Sequence, residues 1–256
     1  GPFQTGTMTL DTVDHILDQA EQLGTIEWIY FEGGEAFIYY AILKEGVLRA
    51  RQRGFKVGIV TNAYWANSEN DAREWLEPLE GLIDDLSISS DDYHHSGEDY
   101  PNAEIGRAAA RQLGFPVDFI TVGESDVLYR GRAAELLASK VPTKPWQQLD
   151  VCPWENLRRP GRVHVDPFGH LHICQGISIG NLLKRPLTEI VADFSPDAHP
   201  IVGPLLDGGP AELVRRYDLA HEDGYADHCH LCYESRRALR SRFPDELTPD
   251  QMYGNA

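Results

Sequence analysis

The sequence predicts an α/β fold built on parallel strands, followed by a smaller cysteine-bearing module. Three observations carry this. Apolar, strand-like runs begin near 26, 57, 85 and 117, a spacing of about 30 residues, which is the length of one βα unit. Helical segments with apolar residues at i, i+3, i+4 and i+7 lie between them. After about 140 the alternation stops: Pro142, Pro145, Pro153, Pro160 and Pro167 cut the chain into short pieces, and all four cysteines fall there.

The elements follow in order. Residues 9–24 read as a helix capped by Thr9, with Val13, Ile16, Leu17, Ala20 and Leu23 on one face and Gly24 as its stop. Ile26 to Phe31 is a strand that ends at Glu32-Gly33-Gly34. A helix spans Phe37 to Arg53, and the apolar run Lys56 to Thr61 is the next strand. Ser68 caps a helix to about Leu76, and Leu86 to Ser89 is a strand. Ala103 to Leu113 is helical, Val117 to Val122 extended, and Arg132 to Ser139 helical. Further on, Arg162–Val165 and His170–Ile173, joined by Asp-Pro-Phe-Gly, predict a β-hairpin. Leu187–Phe194, Ala211–Tyr217 and Ser235–Phe243 read as helices, with a Pro/Gly-rich loop over 195–210. The division falls near 145, giving domains 1–145 and 146–256.

Composition narrows the function. The chain has 256 residues, 42% of them hydrophobic, enough for a substantial core. Its net charge of −17 repels nucleic-acid phosphates and anionic lipid, so neither is an expected partner. No apolar run approaches the ~18 residues that span a bilayer, and the start carries no export signal. Four cysteines are too few for a disulfide framework, so a reducing cytoplasm is the expected compartment, where clustered thiols are more often metal ligands. Gly1-Pro2 reads as a cleavage scar or the start of a fragment.

Ligands of parallel α/β folds sit at the carboxyl ends of the strands. Here those ends carry Gly33-Gly34-Glu35, Thr61-Asn62, Ser89-Ser90-Asp91 and Gly123-Glu124. Glycines admit close backbone approach, a carboxylate accepts from an ammonium, and Ser89 and Asp91 suit ribose hydroxyls. Each feature alone is also an ordinary turn or helix cap. Asp91-Asp92-Tyr93-His94-His95 reads as a polar loop at the rim of the site.

Cys152, Cys174 and the Cys229-x-x-Cys232 pair form a second constellation. Four thiolates suit tetrahedral zinc or a [4Fe-4S] cluster, and spacing does not choose between them. Either would staple three segments of a module expected to have little apolar core of its own. His170 and His172 alternate with Leu171 and Ile173 on one strand face, as a hydrogen-bonding face, donors to cluster sulfurs or mixed zinc ligands.

The run from Tyr30 to Glu35, the Lys56–Asn62 strand end and Ser87-Ile-Ser89-Ser90-Asp91 together resemble radical S-adenosylmethionine (SAM) enzymes. The resemblance implies a partial (β/α)6 TIM-like barrel, here lacking its first strand. In that family the GGE motif binds the amino group of SAM, a role that falls on Gly33, Gly34 and Glu35; the usual next proline is Ala36. Thr61, Asn62, Ser89 and Asp91 would complete the SAM site, with Arg132 of the Arg130-Gly-Arg132 segment near the SAM carboxylate. Gly169-x4-Cys174, Ile179-Gly-Asn-Leu182 and the CxxC are similar to SPASM and twitch extensions, which bind auxiliary [4Fe-4S] clusters. This implies Cys152, Cys174, Cys229 and Cys232 as cluster ligands, with zinc the alternative.

The family's CxxxCxxC loop, which holds the SAM-cleaving cluster, has no counterpart ahead of Gly33. The resemblance therefore implies a second [4Fe-4S] cluster in a longer protein, and a chain that does not cleave SAM by itself. It further implies a radical modification of a peptide or small-molecule substrate, and an electron donor such as a flavodoxin or ferredoxin. The contrasting reading is a non-catalytic protein stapled by four-cysteine zinc.

Overall fold

A computed structural model describes residues 5–90, 101–120, 123 and 126–254. The chain divides into two compact units, Thr7–Asp126 and Val127–Ala256, with the first residues joining the second unit. The break thus precedes the expected boundary at 145, because 127–145 packs with the C-terminal residues.

The N-terminal unit opens with α1 (Leu10–Leu23), whose start is fixed by Thr9 Oγ1 accepting from the Thr12 N–H at 3.1 Å. Strand β1 (Trp28–Phe31) is followed by a short 3-10 turn, Ala36–Tyr39, and then α2 (Tyr40–Gln52), so the expected helix from Phe37 begins as a tighter turn. Next come β2 (Lys56–Thr61), α3 (Glu69–Leu76, capped by Ser68), β3 (Asp85–Ser89), α4 (Asn102–Gln112) and β4 (Val117–Ile120). The strands pair in parallel in the order β1-β2-β3-β4. A parallel four-stranded sheet with helical crossovers is the α/β architecture that the 30-residue period called for.

Alternation along β1 divides its side chains. Ile29 and Phe31 pack on the core, which includes Leu17, Phe37, Val47, Ile59, Leu76, Leu86 and Ile88. Trp28 and Tyr30 stack on each other at 5.6 Å and stay half-exposed, with the Tyr30 ring lying over Gly58, where a Cβ would come within 2.2 Å of it.

The C-terminal unit contains α5 (Arg132–Leu136), a two-stranded ribbon of β5 (Lys144–Pro145) and β9 (Gly224–Tyr225), and a three-stranded antiparallel sheet of β6 (His164–Val165), β7 (His170–Cys174) and β8 (Ile177–Asn181). The hairpin is as expected, but the third strand was not. Helices α6 (Leu187–Asp193), α7 (Val202–Tyr217) and α8 (His228–Leu239) complete it.

Three expectations need correction. Helix α7 begins inside the stretch taken for loop and is broken at Gly208–Gly209, where the backbone of 150–151 crosses it. A Cβ on Gly209, whose φ is +61°, would lie 2.2 Å from the Val151 nitrogen. Helix α8 starts at His228 rather than Ser235, because Asp227 caps it by accepting from the His230 N–H at 2.7 Å. Lastly, the unit has an apolar core of its own, including Leu157, Ile173, Ile177, Val202, Leu205, Leu213 and Leu239, against which Cys152, Cys174 and Cys232 pack. No described helix is long and apolar enough to cross a membrane.

Candidate functional sites

At the carboxyl ends of β1 and β2, Glu35 is buried and organises the turn. Its Oε1 accepts from the Phe37 N–H at 3.0 Å and the Thr61 hydroxyl at 2.8 Å, and its Oε2 accepts from the Asn62 N–H at 2.7 Å. A carboxylate offers about four acceptor positions, and three of them are used among the described residues. Thr61 Oγ1 accepts in turn from Trp65 Nε1 and the Ala63 N–H, and Asn62 Oδ1 from the Tyr64 N–H. Ala63 is held at φ +58° although it is not glycine, and it is fully buried.

Side chains added at Gly33 or Gly34 would meet no heavy atom within 4 Å, so their backbone faces open space. Ser89 is buried at the end of β3. Asp91, with Asp92 to His95 and Glu124, lies outside the described residues. Gly33, Gly34, Glu35, Thr61, Asn62 and Ser89 thus share one edge of one sheet, whereas Arg132 begins α5 of the C-terminal unit. The geometry fits a ligand with a cationic amino group and hydroxyls; what it adds to the sequence reading is that Glu35 ties two strand ends together as well as presenting an acceptor.

In the C-terminal unit the three separated cysteine segments converge. Cys152, Cys174, Cys229 and Cys232 line one small cavity with Arg130, Leu157, Ile177, Leu205 and Arg236. All four are free and half-buried. Each cysteine has its own support. Cys152 follows the 150–151 backbone that sits in the Gly209 break. Cys174 ends β7 ahead of a Gln175-Gly176 turn in which Gly176, at φ +83°, lets Tyr253 approach. Cys229 and Cys232 lie on the first turn of α8 at i and i+3, so both thiols face one way.

Burial dominates the electrostatics of this cavity. It pushes the Cys152 and Cys229 thiols above the ordinary value and the Cys232 thiol up to about 11, and the thiols reinforce one another. The guanidinium of Arg130 donates to Cys174 Sγ at 3.4 Å. Arg236, buried one helical turn after Cys232, donates from Nε to the Cys232 carbonyl at 3.2 Å and from Nη1 to the Gln175 carbonyl at 2.7 Å and the Tyr253 hydroxyl at 3.2 Å. Tyr253 donates onward to the Gly176 carbonyl at 2.6 Å. Burial works against the Arg236 charge, and negative charge on Tyr253, Cys232, Cys174 and Cys229 would favour it. Four sulfur donors in a compact apolar cavity beside two cations match the chemistry of a metal–thiolate centre.

The nearby histidines do other work. Asp166 Oδ2 accepts from His170 Nδ1 at 2.9 Å and His172 Nε2 at 3.2 Å, while Oδ1 accepts from the Phe168 and His170 N–H groups, both at 2.9 Å. Burial pushes the Asp166 carboxyl up, but the bonds from His170 and His172 hold it well below the usual carboxylate range. The three side chains have metal-ligand spacing. Among the described residues the buried Nδ1 of His172 has no partner. The hydrogen bonds of the trio tie together the β6–β7 turn.

No family model matches the chain. Among curated proteins it is 28% identical over 94 residues to "Putative peptide biosynthesis protein YydG" of Bacillus subtilis (strain 168), a match covering 36% of this chain and 30% of that protein. Among solved structures it is similar to BtrN in complex with AdoMet and 2-DOIA, with a TM-score of 0.51 and 17% identity over 73% of this chain and 70% of that one. At that identity the likeness shows a shared fold. The α/β architecture expected from the sequence is therefore also that of a protein whose structure was solved with AdoMet bound.

Proposed function

We propose that this chain is a radical SAM enzyme, or a piece of one, that modifies a peptide. The observation that carries the reading is the occurrence in one chain of two preorganised sites, the Gly33–Glu35/Thr61-Asn62 strand-end edge and the four-cysteine cavity. Supporting it are the BtrN-like fold and the partial similarity to a peptide biosynthesis protein. The sheet belongs to a partial (β/α)6 barrel, and the cysteine unit is a SPASM/twitch-like module.

In this reading Gly33 and Gly34 offer backbone groups to the methionine end of SAM, and Glu35 orients its ammonium through the remaining acceptor on Oε2. Asn62, Ser89 and Asp91 hold the ribose side, with Thr61 fixing Glu35 and Arg132 reserved for the SAM carboxylate. Cys152, Cys174, Cys229 and Cys232 hold an auxiliary [4Fe-4S] cluster and leave no open iron. Bound SAM and iron–sulfur clusters would supply the radical and electron-transfer chemistry, with a flavodoxin or ferredoxin as donor. The residues of this chain position, shield and tune.

Anaerobic iron–sulfide loading tests the metal half: about four iron and four sulfide per chain are expected, whereas one zinc and no iron would replace the reading with a zinc-stapled binding protein. Calorimetric titration with SAM tests the other half. Binding that Glu35→Ala weakens at least tenfold is expected, and no binding by a folded protein would sink the assignment of that edge.

A further inference from the structure

We infer that Arg130 and Arg236 are the counter-charges of the cysteine site, together neutralising a doubly negative metal–thiolate centre and setting its electron affinity. The inference rests on the metal-site reading of the four cysteines; its charge balance holds for either metal, and its electronic part for an iron–sulfur cluster.

The argument starts from Arg236. Its side chain is almost completely removed from solvent, at 2% exposure. Burying a guanidinium costs several kcal/mol unless an anion lies beside it. Among the described residues its hydrogen bonds go to the Cys232 and Gln175 carbonyls, the Tyr253 hydroxyl and the Cys232 thiol, none of them a carboxylate. No carboxylate pairs with it there, although 40 of the chain's residues are Asp or Glu. The exposed Arg237 and the partly buried Arg240 do find acidic partners, Glu234 and Asp250. A protein this acidic has left its most buried arginine facing sulfur.

Arg130 makes the same choice from another segment. Its guanidinium donates to Cys174 Sγ, and its charge also acts on Cys229. It reaches the cavity from the chain ahead of α5, while Arg236 reaches it from within α8. The two cations therefore approach the thiol group from two elements rather than one.

The charge count closes. Four thiolates around a divalent ion, or around an oxidised [4Fe-4S] core, leave a doubly negative centre. Two guanidiniums balance it in an apolar cavity where an uncompensated charge would be expensive. For an iron–sulfur cluster the consequence is electronic. One-electron reduction adds a negative charge, which nearby cations and N–H···S bonds favour, so both arginines raise the reduction potential.

The test uses Arg130, which packs less deeply than Arg236. Wild type, Arg130→Gln and Arg130→Lys are loaded anaerobically with iron and sulfide, analysed for both, and titrated potentiometrically by electron paramagnetic resonance. The expected result is full iron in all three, with reduction disfavoured at least tenfold in Arg130→Gln. For a one-electron couple that is a fall of about 59 mV. Arg130→Lys keeps the charge and should recover most of the shift. An unchanged potential in a fully loaded Arg130→Gln overturns the inference. If wild type takes zinc and no iron, the cluster reading has failed, and zinc competition against a chelator reads the inference instead. Affinity at least tenfold weaker in Arg130→Gln supports it, and equal affinity overturns it. A wild-type protein that holds neither metal would remove the site and the inference with it.

Discussion

Glu35 and Arg236 are both buried charges, each at the centre of one unit, yet they are solved in opposite ways. Glu35 is satisfied by the protein alone: two backbone N–H groups and one hydroxyl converge on it from its own turn and the end of β2. Arg236 meets only neutral oxygens and sulfur. The first arrangement is complete on folding. In the proposed reading, the second is completed when a bound metal displaces the thiol protons and leaves charge on the sulfurs. The strand-end carboxylate is thus held by the fold itself, whereas the buried guanidinium is held by neutral oxygens and sulfur.

The contrast can be broken most severely at the cysteines. Chelation, or Cys232→Ser, should lower the melting temperature of the C-terminal unit. A ligand present at a thousandfold its Kd contributes about 4 kcal/mol, roughly 10 °C for a chain of this size. Calorimetry of loaded and stripped protein measures it, and an unchanged melting temperature would mean that Arg236 needs no metal.

Gly209→Ala comes next. The new methyl would drive into the 150–151 backbone at a positive φ, costing about 2–5 kcal/mol and moving Cys152 away from the other three thiols. Metal content per chain should drop while the N-terminal unit keeps its stability, which a two-transition urea melt would resolve.

On the other side of the comparison, Glu35→Gln replaces one acceptor oxygen by a donor that faces either the Asn62 N–H or the Thr61 hydroxyl. The expected loss is about 2–4 kcal/mol from the N-terminal unit, with metal content unaffected, as read by denaturant unfolding with iron analysis.

The smallest effect is at His199. Its buried ring accepts from the Ile201 and Val202 N–H groups at Nδ1, which leaves Nε2 to donate to the Ser178 carbonyl. Burial lowers its pKa, so below about 6.5 the unfolded chain binds a proton that the folded chain refuses. Stability should therefore fall as pH drops below about 6.5, and His199→Asn should reduce that slope by up to about 1.4 kcal/mol per pH unit, leaving the share of His228 and His230, which burial shifts the same way.

Much of this was legible because the N-terminal unit is built from local rules. Thr9 and Ser68 are caps, the strands are apolar runs, and the period sets the parallel pairing. What escaped was tertiary in origin. Gly208-Gly209-Pro210 looks like a helix stop, yet the helix is broken there by another segment's backbone. Helix α8 was placed too late because the Cys229-x-x-Cys232 pair drew attention from the cap at Asp227. Arg130 was noticed for its basic segment, but its reach to Cys174 has no sequence signal. Arg236 follows Cys232 by one helical turn, a spacing that becomes informative only once α8 is known to begin at His228.

Tyr253 gives the assembly an order in time. It bonds both to Arg236 and to the Gly176 carbonyl beside the Cys174 turn, so the wall behind the thiols is shut by a residue that leaves the ribosome after every one of them. During synthesis the four sulfurs emerge before their last support does. If the thiols hold metal as proposed, loading is expected only after translation has passed Tyr253, because a nascent chain paused earlier would present its thiols without that wall.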